Sequence, residues 1–190
     1  DTTALNVVVG NKTEKGDVFD GRIVAPNVEA LDITTNYNNL DSSNAPTFIF
    51  SSNDNDLHQV SSLTISGFGA VDIDNEAGIG SQVEDLEVDA SALKAGLTAA
   101  FKNGLDTDSS ISFTGGSNTN VVSFEGYESV ALKGSQLHKD VFTVIGDGDK
   151  VEITGTLNTG DQLNLIGNWT ADQKAALAEE LGINADTQIR

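Results

Sequence analysis

The chain has 190 residues, a net charge of −19 at pH 7, ten basic residues against 29 acidic ones, and no cysteine. The absence of cysteine excludes disulfides, thiolate catalysis and cysteine-based zinc sites. The acidity argues against nucleic acid, which needs clustered Lys and Arg, and favours hard cations such as Ca²⁺ or, more plainly, solubility at high concentration.

Residues 1–14 read as an N-terminal strand or linker, with Leu5–Val9 as the first strand candidate. From 15 to 167 a five-residue phrase, apolar-x-apolar-x-small, recurs. It begins at Leu31, Leu63, Leu86, Ile111, Val130, Val151 and Leu163, at spacings of 32, 23, 25, 19, 21 and 12. A strand reused at a period of about 22 predicts a coil of β-structure, with the step of 12 to Leu163 as a shortened last turn. Period-2 alternation points the two apolar positions inward and the middle residue (Asp32, Thr64, Glu87, Ser112, Ala131, Glu152, Asn164) to solvent. The small fifth residue suits a tight corner.

Further strand candidates fill the intervals: Thr47–Ser51, Ala70–Ile73, Val121–Phe124 and Val141–Ile145. The longest interval holds an inserted polar region over 36–58, which includes Tyr37. A second phrase, V-x-x-L-x-[IV], precedes three copies at Val28, Val60 and Val83, with a looser fourth at Tyr127. Residues 91–102 predict a helix, with Ser91 as its N-cap, Leu93, Leu97, Ala100 and Phe101 on one face and Gly104 beyond it. The chain ends in a helical region over 168–190. There Thr170 and Gln173 form a capping box, Leu177 and Leu181 an apolar stripe, and Gly182 a stop for a helix over 171–181.

The fold class is therefore mainly β: an irregular parallel β-helix (β-solenoid) with short helices, one of them capping the C-terminal end, in a single domain over 1–190. A β-sandwich is the alternative. Roughly six turns at about 4.8 Å each give a coil on the order of 30 Å long. The abrupt start at Asp1 and end at Arg190 suggest a piece of a larger protein.

The loops between strands are rich in oxygen ligands. Asp17 and Asp20 lie in Lys15-Gly-Asp-Val-Phe-Asp-Gly21, Asp54 and Asp56 in Asn53-Asp-Asn-Asp56, and Asn118 and Asn120 in Gly116-Ser-Asn-Thr-Asn120. Asp147 and Asp149 lie in Gly146-Asp-Gly-Asp149, and Asp161 precedes another strand. Hard Ca²⁺ takes six to eight oxygens from carboxylates, amides and backbone, which such loops supply. The plain reading is that these are Asx and Gly turns. Asp72-Ile-Asp-Asn-Glu-Ala-Gly78 departs from an EF-hand loop, since its Gly is one position late and its twelfth residue is Val83. Asp72, Asp74 and Glu76 remain as an irregular cation loop.

Gly115-Gly-Ser-Asn-Thr-Asn-Val-Val-Ser123 is similar to the Ca²⁺-binding nonapeptide of RTX proteins, with Asn118 in place of the third Gly and Asn120 in place of the Asp. No two such repeats stand in tandem. Together with the V-x-x-L-x-[IV] phrases and the segments Asp17-Val-Phe19 and Asp140-Val-Phe142, most of residues 15–167 resembles bacterial S-layer proteins and RTX-type surface proteins secreted by the type I route. The resemblance implies a β-solenoid lattice domain, extracellular at the bacterial cell surface, with Ca²⁺-dependent folding or assembly.

Catalytic signatures are poor. His58 and His138 are isolated, Ser91-x-x-Lys94 has no companion motifs, and Arg occurs only at Arg22 and Arg190. The expectation is a non-enzymatic structural module that contacts neighbouring copies of itself. The alternatives are a module that binds a cell-surface polysaccharide or host glycan, centred on 36–58, and a polysaccharide-processing enzyme. Nucleic acid and membrane insertion are not expected, as no apolar run is long enough to cross a bilayer.

Overall fold

The computed structural model describes residues 3–10, 20–36, 47–51, 56–73, 78–105 and 108–190. In chain order the strands are β1 (Ala4–Val9), β2 (Asp20–Arg22), β3 (Ala30–Thr35), β4 (Thr47–Ser51), β5 (Ser62–Gly67), β6 (Ala70–Ile73) and β7 (Asp85–Leu93). Then come β8 (Leu97–Lys102), β9 (Ser110–Thr114), β10 (Val121–Glu125), β11 (Ser129–Lys133), β12 (Val141–Ile145), β13 (Glu152–Thr156) and β14 (Gln162–Ile166). Helices α1 (Ala171–Leu181) and α2 (Ala185–Gln188) close the chain.

The odd-numbered strands form one sheet in sequence order and the even-numbered strands form the other. Among the described residues every pairing between strands is parallel. Each circuit of the chain lays one strand on each sheet, so neighbours within a sheet are joined through the opposite sheet. This is a β-solenoid. A sandwich built from hairpins would pair its strands antiparallel instead.

The five-residue phrase forms as its alternation requires. Leu31 and Ile33, Leu63 and Ile65, Leu86 and Val88, and Ile111 and Phe113 are all buried, while the residue between each pair reaches solvent. Leu31 pairs with Leu63, and Leu86 with Ile111. Leu63, however, pairs with Val88, and Val130 with Ile153. These two slips are of two residues, which keeps Leu63 and Val130 on the core face, and the β5–β7 register shifts once more between Thr64 and Ser66. Between the sheets, Phe113 meets Phe124 and Phe142 edge-on, at centroid distances of 5.7 and 5.8 Å. That geometry matches the charge distribution of the rings. At the end of the phrase Gly67 has φ +107°, and a Cβ there would run into the carbonyl of Thr35 on the coil before.

Two expectations are corrected. Residues 91–102 are not helical: they form the end of β7, a short corner over 94–96, and β8. Leu97, Ala99 and Phe101 are buried in alternation, and β8 is held between β6 and β10. The same apolar residues fit either period, and parallel pairing on both sides decides for the strand. Ser91 is thus no helix cap; its N–H donates to Asp89 Oδ1 at 2.8 Å. The copy at Leu163–Gly167 is not a shortened coil either. It lies in β14, on the opposite sheet from the other six, so the spacing of 12 is a half-circuit.

The helix over 171–181 forms at the expected bounds. Thr170 Oγ1 accepts from the Gln173 N–H and Gln173 Oε1 accepts from the Thr170 N–H. Gly182 closes the helix in the left-handed region at φ 68°. Leu177, Ala178 and Leu181 join the core cluster, and α1 packs against β13. Beyond α2, Arg190 exchanges backbone hydrogen bonds with Leu163 and Leu165, which covers the edge of β14.

Candidate functional site

The most organised polar feature is a column of three buried side chains at one corner of the coil. Asn120, Asp140 and Asp161 each immediately precede a strand of the second sheet, and each is 0% exposed. Val121, Val141 and Gln162 are in register, so the three stack one above another. The stack starts at β10, because the same register position on β8 is Leu97.

Each rung is tied to the next. The Asn120 N–H and Nδ2 both donate to Asp140 Oδ1, at 2.7 and 2.9 Å. The Asp140 N–H donates to Asp161 Oδ1 at 2.9 Å. The second carboxylate oxygens turn to their own loops: Asp140 Oδ2 accepts from the Ser135 N–H at 2.5 Å and Asp161 Oδ2 from the Asn158 N–H at 2.7 Å. Asn120 Oδ1 accepts from the Gly116 N–H at 3.0 Å. Asn158 Nδ2 donates to the Ser135 carbonyl, linking two loops. At the open end of the column, Gln188 Nε2 donates to the carbonyls of Asn158 and Asp161, at 2.8 and 2.9 Å.

Buried carboxylates are tolerated when N–H donors satisfy them. Desolvation pushes the Asp161 carboxyl above its ordinary value, against the lowering effect of its two backbone hydrogen bonds, and the nearby Asp140 adds to the rise. The column therefore pins successive corners to one another. Each oxygen of Asp140 and Asp161 accepts at least one N–H.

The other expected ligands among the described residues lie in separate places. Asp56 is buried and paired with Arg22 through two contacts, Nε at 2.5 Å and Nη2 at 2.8 Å. Asp147 Oδ1 accepts from the N–H and Nδ2 of Asn168, at 2.8 and 3.1 Å, while Asp149 is exposed. Asn118 turns its Oδ1 to the Thr119 N–H. Asp72 sits on β6 and Asp20 on β2. Asp17, Asp54 and Asp74 lie outside the described residues, as do Tyr37 and most of the inserted region. Among the described residues no group of three or more His, Asp or Glu side chains is placed to hold a metal ion.

A cavity of about 730 Å³ opens beside the Asp147 corner, where Glu128, Asp147, Asp149 and Lys150 meet Ile145 and Ile166. Tyr127 also lines it, and burial raises the phenol's pKa. Its hydroxyl is buried with no hydrogen-bond partner among the described residues.

Sequence reasoning singled out Asn120 and Asp161 but not Asp140 as a site residue. The available signal was the phrase [N/D]-x-apolar at Asn120, Asp140 and Asp161, at steps of 20 and 21 residues. No helix among the described residues is long and apolar enough to cross a membrane. Comparison with known proteins finds no matching family model, curated relative or solved structure.

Proposed function

We propose that the protein is a structural module of a bacterial cell-surface layer, extracellular and non-enzymatic, whose task is to present a stiff coil to neighbouring copies. The single observation behind this reading is the column of Asn120, Asp140 and Asp161. Its buried polar groups are spent on locking coil to coil rather than left free for chemistry. A fully satisfied buried network of this kind rigidifies a structure.

Calcium is part of the proposal as the cation with which the layer assembles or stiffens. Imaging of the purified protein at high concentration, with chelator and with millimolar Ca²⁺, tests both parts. Ordered sheets support the layer role, and only dispersed particles in both conditions overturn it. Sheets in both conditions remove calcium from the account.

A second reading, a glycan-binding module, is favoured by the cavity beside Asp147. Carboxylates and an ammonium around a concave surface suit the hydroxyls of a polysaccharide. A glycan-array signal lost in Asp149→Ala supports it, and no signal on any glycan removes it.

A further inference from the structure

Two successive corners of the coil differ in length. β10 passes to β11 through Gly126, Tyr127 and Glu128, whereas β12 passes to β13 through the longer segment 146–151. Both corners border the cavity of about 730 Å³. The longer one is held in shape. The Asp147 carbonyl accepts from the N–H groups of Lys150 and Val151, at 2.9 and 3.1 Å, and the Gly148 N–H donates to the Asn168 carbonyl at 3.0 Å. Trp169 Nε1 donates to the Gly146 carbonyl at 2.7 Å. A Cβ on Gly148 would stand 2.7 Å from the Trp169 ring, so only glycine lets the backbone pass there. A wall ordered in advance spares a ligand the cost of ordering it. Within the cavity, Ile145 and Ile166 are register partners on β12 and β14, and Ile166 is 54% exposed. Three carboxylates, Glu128, Asp147 and Asp149, stand against the one ammonium of Lys150. Tyr127 lines the same cavity at 3% exposure, and its buried hydroxyl has no partner among the described residues. A buried hydroxyl without a partner is costly and uncommon, and it marks a place where another polar group belongs.

We infer that this cavity binds an amino sugar carrying a free ammonium, as one residue of a polysaccharide. The inference rests on the glycan-binding reading and narrows it to cationic sugars. Apolar walls with a few placed polar groups are the usual make-up of a small-molecule site. A pyranose ring supplies an apolar C–H face for Ile145 and Ile166 and hydroxyls for the Tyr127 phenol. The ammonium answers the excess of carboxylate, chiefly at the exposed Glu128 and Asp149. Asp147 has a different part: its Oδ1 accepts from the N–H and Nδ2 of Asn168, which fixes the corner. A neutral sugar leaves the carboxylates unanswered. An acidic sugar is repelled by them and by the field of a chain of net charge −19.

Isothermal titration calorimetry on the full chain, at mildly acidic pH where the sugar amine is charged, compares a glucosamine tetramer with its fully N-acetylated counterpart. The two share ring and linkage and differ in charge. The glucosamine tetramer should bind several-fold more tightly, and the preference should shrink as salt rises. Asp149→Asn should reduce the preference. Glu87→Gln removes the same charge from the exposed face of β7, outside the cavity, and should leave binding unchanged. Tyr127→Phe keeps the packed ring and should weaken both tetramers while the chain stays folded by circular dichroism. Spermidine, a cation without a sugar ring, should bind more weakly than the glucosamine tetramer. Equal affinity for the two tetramers overturns the inference and leaves the glycan-binding reading standing. Binding of neither tetramer, with neutral glycans bound on an array, does the same, and no binding to any glycan overturns both. Spermidine binding as tightly as the sugar, or Glu87→Gln weakening binding as much as Asp149→Asn, shows diffuse charge attraction and overturns the inference as well.

Discussion

Asn120 gives both its backbone N–H and its side-chain amide to one oxygen of Asp140 on the next coil. Asp140 repeats the backbone half of that arrangement with Asp161. Parallel stacking turns a corner residue into a vertical tie, and each substitution in the column has consequences on two coils.

Replacing Asp140 by Ala removes the acceptor of three N–H groups, from Asn120 N, Asn120 Nδ2 and Ser135 N, in a fully buried corner. Each stranded donor costs about 1–3 kcal/mol, so a loss of about 3 kcal/mol or more is expected. Asp140→Asn keeps one acceptor oxygen and should cost less. Urea unfolding midpoints measure both, and an Asp140→Ala variant within about 0.5 kcal/mol of the parent would remove the column from the stability account.

Asp161 sets a pH dependence of the opposite sign to most carboxylates. Burial raises its folded-state value above the ordinary 3.8. A raised acid binds more protons when folded, so its contribution is fully present below 3.8 and is lost as pH rises through the raised value. Asp161→Asn abolishes that titration. The stability of the parent relative to Asp161→Asn should therefore increase as pH is lowered from neutrality towards 3.8. A difference that stays flat or shrinks over that range contradicts the assignment.

Gln188 closes the C-terminal end of the column through the carbonyls of Asn158 and Asp161. Gln188→Ala should cost about 1–2 kcal/mol, the scale of two buried carbonyls losing a donor. It should also loosen the last segment. Faster hydrogen exchange at Leu165, whose N–H is held by the Arg190 carbonyl, is the local readout. Unchanged exchange there would show that the segment docks without Gln188.

Tyr127→Phe removes a buried hydroxyl that has no partner among the described residues. Stability should be unchanged or rise by up to about 1 kcal/mol, since an unsatisfied polar group is lost while the ring stays packed. A drop of that size in melting experiments would mean that the hydroxyl is bonded in solution, for example to a water in the adjoining cavity.

Much of this architecture was legible in the chain. Alternation within Leu31–Thr35 or Ile111–Gly115 is a local property, and it fixes which side chains enter the core whatever the strand pairs with. The end helix was equally plain, because Thr170, Gln173 and Gly182 act within one turn of the residues they cap. Residues 91–102 misled because Leu93, Leu97 and Phe101 satisfy a helical stripe and a strand alternation alike, and only β6 and β10 on either side choose between them.

The polar column shows the same division. The sequence by itself placed Asn120 and Asp161 just ahead of strands and marked them as oxygen ligands. Tertiary structure decided what they face. Parallel stacking at steps of 20 and 21 residues brings Asn120, Asp140 and Asp161 together away from water, where backbone N–H groups take their oxygens. It also decided that Leu163 belongs to the opposite sheet from Val151. Strand pattern and capping depend on neighbours a few residues away, so the sequence determines them. Sheet membership, register and the partners of a buried carboxylate depend on where the next coil lies, which is settled only when the coils pack.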